Sequence, residues 1–79
     1  MNNKQHFYFD LVGWVGTSLI LLAYILNIFE IIQVTDPLYL ILNIIGSLGI
    51  VIITYIEKAN QPLFLNLIWA LVALISLLK

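Results

Sequence analysis

Three apolar runs, Leu11–Ile32, Leu38–Ile56 and Leu63–Leu78, fill nearly all of this 79-residue chain. None contains Lys, Arg, His or Asp, and the one acidic residue inside them is Glu30, near the end of the first. A helix rises about 1.5 Å per residue and a bilayer core is about 30 Å thick, so about 20 apolar residues span it. The first two runs meet that length. The third is short, at roughly 24 Å, and reaches across if Gln61 and Pro62 join its helix or the membrane is locally thin. The chain therefore reads as an all-α integral membrane protein: a bundle of three transmembrane helices in one domain, at about 11–32, 38–56 and 62–78.

Composition narrows the alternatives. Charged residues make up 9% of the chain, against about 25% in ordinary soluble domains. A soluble three-helix domain needs polar faces for water, and these segments are apolar almost all round. Three basic residues at a formal charge of −1 cannot neutralise a row of phosphates, so nucleic acid is not an expected partner. The lipid bilayer is. Without cysteine, thiolate catalysis and zinc–sulfur sites are excluded. The first run is too long for a signal-peptide core and no small-residue cleavage pattern follows it, so it is expected to stay in the mature protein.

Asp36-Pro37 suits the start of the second helix: Asp36 as N-cap, Pro37 at the first helical position. Asn60 and Gln61-Pro62 suit the third, and Asp10 is the expected cap of the first. The links are then Gln33–Asp36 and Glu57–Gln61, short enough to force antiparallel neighbours. Lys4 and Lys58 fall on one side of the membrane, so the positive-inside rule places the N-terminus in the cytoplasm. Phe7, Tyr8, Phe9 and Trp14 gather where an aromatic belt would sit.

Membrane helices bury small and polar residues against one another, because lipid gives apolar groups no reason to hide. Each run carries such a stripe at steps of three or four. The first reads Gly13, Gly16/Thr17, Ile20, Tyr24, Asn27, Glu30. The second reads Tyr39, Asn43, Gly46/Ser47, Ile50, Thr54, and the third Asn66, Trp69/Ala70, Ala73, Ser76. Gly13, Gly16, Thr17, Asn27, Gly46 and Ser47 are the expected helix-packing residues. Counted from Gln33 and Pro37, Asn27 and Asn43 both lie about 9 Å below one membrane face and could hydrogen-bond directly. Asn66 lies about 6 Å from the opposite face. These amides either glue helices or line a path for a small solute; Asn66, Trp69, Tyr24 and Asn43 are the candidate solute contacts.

Other chemistry is poorly served. His6 and Asp10 share a helix face, but one histidine without further nitrogen or sulfur ligands makes a poor metal site. The only histidine lies in the N-terminal tail, so no nucleophile–base–orienter set exists. Neither enzyme activity nor a metal or other cofactor is expected.

The pattern Gly13-x-x-Gly16, Ala23-Tyr24, Tyr39-x-x-x-Asn43-x-x-Gly46, Tyr55 and Asn66-x-x-Trp69 resembles a family of small, uncharacterised bacterial three-helix membrane proteins. That resemblance implies a bacterial inner-membrane location and no particular activity. A more distant likeness is to the SemiSWEET and PQ-loop transporters, whose three-helix protomers pair into a six-helix pore with an asparagine early in the third helix lining the cavity. Asn66 falls at that position. The likeness implies a SemiSWEET-like protomer, a homodimer and a small polar or neutral solute. The sequence departs from it in having no proline in the first helix, where Ala23-Tyr24 stand in place of the Pro-Gln pair, and no tryptophan in the second. The alternative is an accessory or regulatory membrane protein whose polar stripes only pack helices.

Overall fold

The computed structural model describes residues 2–79 and consists of three helices: α1 (Asn3–Ile28), α2 (Pro37–Ile56) and α3 (Asn60–Leu78). All three are long and apolar enough to cross a membrane. The molecule is a small all-α membrane protein. At 26 residues, α1 is about 39 Å long, and its first two turns, with Lys4, His6 and Asp10, extend beyond the hydrocarbon. At 19 residues, α3 reaches about 28 Å because Asn60, Gln61 and Pro62 form its first turn.

The helix ends differ from the sequence expectation, each for a local reason. Asp10 does not cap α1. Asn2 does, in a reciprocal capping box: Gln5 N–H donates to Asn2 Oδ1 at 2.9 Å, and Asn2 N–H donates to Gln5 Oε1 at 3.1 Å. Two orphan donors are satisfied at once. At the other end α1 stops at Ile28, although Phe29–Ile32 are mostly apolar. Asp36 is the N-cap residue of α2, but its carboxylate accepts from Gln33 N–H at 2.9 Å and closes the preceding turn instead of capping the helix. Ala59 precedes α3 and supplies no side-chain cap.

Both α1 and α2 end in the same motif. Ile31 N–H donates to Leu26 O and Glu30 N–H to Asn27 O; one helix later, Ala59 N–H donates to Thr54 O and Lys58 N–H to Tyr55 O. These are the paired bonds of a Schellman cap, which places its C′ residue in the left-handed region. Glu30 has φ 61° and Lys58 φ 57°, where a β-carbon is costly and glycine is not. Lys58→Gly is therefore expected to stabilise the fold by about 1 kcal/mol. Thermal unfolding in detergent measures it; a melting point unchanged or lowered by the substitution would contradict this reading of the turn.

The hub is α2. It packs against α1 along one flank and α3 along another, while among the described residues the backbones of α1 and α3 stay more than 8 Å apart, Cα to Cα. Against α1 the contact is backbone to backbone. A β-carbon at Gly16 would stand 2.6 Å from the Gly46 carbonyl oxygen, and one at Gly46 would stand 2.6 Å from the Gly16 carbonyl oxygen. Gly49, which the sequence stripe omits, sits against Val12 O and Gly16 Cα at 3.2 and 3.3 Å by the same measure. This is the close approach that small residues permit between membrane helices. Against α3 the buried residues are Ala70 and Ala73 on α3 and Leu40, Asn43 and Ser47 on α2, all but Leu40 small or polar.

Candidate functional site

The side of α1 that packs on α2 runs through Val12, Gly13, Gly16, Leu19, Ile20, Ala23 and Asn27, all buried or half-buried. Thr17 and Tyr24 are both exposed. At about 100° per residue, they lie roughly 80–100° round the helix from Gly16. The expected stripe is thus rotated: Gly13 and Gly16 belong to the α2 contact, and Thr17 and Tyr24 to the flank beside it.

Asn27 and Asn43 do not meet. Because α1 ends at Ile28, Asn27 lies in its last turn and not six residues below the surface. Its Nδ2 donates to Ile32 O at 3.1 Å and ties down the loop. Asn43, 2% exposed, finds a different partner. Trp69 Nε1 donates to Asn43 Oδ1 at 2.9 Å, while Asn43 Nδ2 donates to Tyr39 O one turn back at 2.8 Å. The indole–amide bond is the one side-chain hydrogen bond that joins two helices among the described residues.

Asn66 stays on its own helix, where its Nδ2 donates to Pro62 O at 2.9 Å. The amide N–H is therefore already engaged one turn back on its own helix. Thr54 likewise donates back to Ile50 O at 2.7 Å. Ser47 Oγ is fully buried and makes no hydrogen bond among the described residues; rotating its hydroxyl toward the Asn43 carbonyl one turn earlier is the ordinary remedy in a helix.

Of the four candidate solute contacts, the fold brings together Asn43 and Trp69. They form the wall of a groove of about 320 Å³ between α2 and α3, with Tyr39 and Ser76 beside them and Val34 and Thr35 of the α1–α2 loop at one end. Its size falls at the low end of small-molecule sites. Asn66 and Tyr24 do not line it. Tyr39 and Ser76 belong to the sequence stripes, and the signal that could have singled them out is their step of three or four from Asn43 and toward Trp69. A second groove, of about 250 Å³, lies between α1 and α2 and is lined by Asp10, Trp14, Thr17 and Ile50 among others.

Both grooves open on the same side of the molecule. On α2 they touch Tyr39, Asn43, Ile50 and Ile53, which, with Gly46 between Asn43 and Ile50, form one row at steps of three or four. The opposite grooves touch Ile45, Leu48, Ile52 and Tyr55, a row about 160° away round the helix. The first side carries Thr17, Tyr39, Asn43, Trp69 and Ser76. The second is apolar apart from Tyr55, which lies one residue from the end of α2.

Residues 9–79 match the model of an uncharacterised protein family, and the match takes in all three spans. The chain belongs to that family. No curated protein and no solved structure matches it.

Proposed function

We propose that this chain is one half of a transporter, and that two copies enclose a path for a small polar or neutral solute. The observation that carries the reading is the α2–α3 groove, where Tyr39, Asn43, Trp69 and Ser76 converge toward one end of the bundle with no charged group among its lining residues. A groove open along one side cannot shield a solute from lipid. A second protomer can close it. An indole face with hydroxyl and amide groups nearby suits a neutral, hydrogen-bonding molecule. The distant likeness to SemiSWEET protomers agrees with the number of spans; Asn66, the residue that carried it, is replaced as the central contact by Asn43 and Trp69.

A second reading is a non-transporting accessory subunit. It is favoured by the amides of Asn43 and Asn66, which already have partners inside the protomer. A solute-uptake screen in reconstituted vesicles separates the two. Uptake of at least one neutral solute, saturable and slowed by Ser76→Leu, supports the transporter. Tight vesicles that take up none of a broad panel, from protein that is folded and membrane-inserted, support the accessory role.

A further inference from the structure

We infer that the α2–α3 groove takes a neutral amphiphile in one orientation: an uncharged hydrogen-bonding head at the membrane face, beside Tyr39 and Ser76, and an apolar body against Trp69. This solute class rests on the transport reading, which supplies the groove. The spacing of polar groups along the groove, and which of them are already engaged, names the class.

The hydroxyls gather at one end. Thr35 lies in the α1–α2 loop, Tyr39 is the third residue of α2, and Ser76 is the third from the end of α3. The groove then runs inward past Ala73 and Val72 to Trp69, about 8–14 Å from that end of α3. One polar side chain borders this deeper part. It is Asn43, which is 2% exposed and has both ends of its amide engaged, by Trp69 Nε1 and by Tyr39 O. The same bond takes up the only polar atom of the indole. An occupant of the deep end therefore meets aliphatic groups and an indole that is 49% exposed. A polyol placed there gives up water and finds no partner, which is costly. An apolar body loses no hydrogen bond and packs on the ring. At the mouth a head group does find partners. Ser76 still accepts when its proton is donated back to its own helix, and the Tyr39 hydroxyl both donates and accepts. No charged group lines the groove, so a carboxylate or ammonium head would leave water uncompensated.

Two six-membered rings that each bear a hydroxymethyl group serve as matched probes: cyclohexylmethanol, whose ring is bare, and glucose, whose ring carries hydroxyls. Full-length protein with Trp14→Phe, in phosphatidylcholine vesicles, has Trp69 as its only indole. Cyclohexylmethanol is expected to change Trp69 emission saturably, with half-saturation about tenfold or more below any that glucose gives. Tyr39→Phe and Ser76→Leu should each weaken that response several-fold, and cyclohexanecarboxylate should give no saturable change. Glucose or the carboxylate binding as tightly as the alcohol would overturn the inference. So would a response linear in the alcohol and matched by an indole moved to the opposite side (Trp14→Phe, Trp69→Phe, Leu48→Trp), since that reports partitioning into the bilayer only. Uptake separates this proposal from the one beneath it. Saturable alcohol binding by a protein that moves no solute keeps the amphiphile site and removes the transporter. Uptake of glucose or another polyol, without saturable alcohol binding, does the reverse.

Discussion

Gly46→Ala is expected to pull α1 away from α2. The new methyl group would lie 2.6 Å from both the Gly16 carbonyl oxygen and Ile20 Cγ1. The carbonyl is backbone and cannot rotate aside, so the two helices must separate by a good fraction of an ångström along their whole contact. Overpacking of this kind costs about 1–3 kcal/mol, and a backbone obstacle puts it at the upper end. Gly16→Ala meets the reciprocal obstacle and should behave alike. Gly13→Ala should not. There the nearest atom is Ile53 Cγ2 at 3.3 Å, a side-chain methyl that can yield, and alanine gains up to about 1 kcal/mol of helix propensity over glycine. Thermal unfolding in detergent should rank Gly13→Ala near the parent chain, with Gly16→Ala and Gly46→Ala far below. Equal losses at all three positions would mean that the tight seam between α1 and α2 is not where the structure places it.

The second large effect is expected at the indole–amide bond. Asn43→Ala removes the acceptor for Trp69 Nε1 and opens a hole at a position that is 2% exposed. Hydrogen bonds between membrane helices average about 0.6 kcal/mol and reach about 1.7; with the lost packing the total should be about 2 kcal/mol. Trp69→Phe keeps one aromatic ring but loses the N–H donor and the second ring, so its cost should be about 1–2 kcal/mol, in part lost packing. In a double-mutant cycle Asn43 and Trp69 should couple, with the hydrogen-bond part of the Trp69→Phe cost vanishing in the Asn43→Ala background. Asn27→Ala should add independently to Asn43→Ala, since Asn27 bonds to Ile32 O in its own loop. Coupling between the two asparagines and none between Asn43 and Trp69 would reverse the assignment.

The contrast shows what the sequence could and could not disclose. Three spans were legible because long apolar runs have few other fates. The short third run was legible too, since Pro62 sits comfortably in a first turn. Apolar composition does not mark where a helix stops, however. Phe29, Ile31 and Ile32 are apolar yet non-helical because the chain turns at Glu30, which carries none of the glycine signal such a turn usually has. That missed end misplaced Asn27 and paired it with the wrong partner. The N-terminal end had a readable signal, Asn2 with Gln5 three residues on, but it lay in a polar segment outside the apolar run. On the glycine face, Gly13, Gly16 and Gly46 could be picked out from spacing, and Gly49 could have been added as Gly46-x-x-Gly49. Rotation about the helix axis was harder. Thr17 is one residue from Gly16 yet a quarter-turn away, and only the packing on α2 decides which of the two is buried. Trp69 as partner of Asn43 was beyond reach, since it requires the relative shift of α2 and α3 along the membrane normal.

The proposed solute site lies beside Trp69, and Trp69 itself reports on it. The chain has two tryptophans, and Trp14 is an exposed residue near the water boundary. In a Trp14→Phe background Trp69 is the only indole. Its fluorescence is followed in reconstituted vesicles while a neutral solute that the protein takes up is added. A saturable change in emission, with a midpoint matching half-maximal uptake and weakened by Ser76→Leu, is the predicted result. Emission that stays constant while the same vesicles take up the same solute would place the path elsewhere and contradict the account.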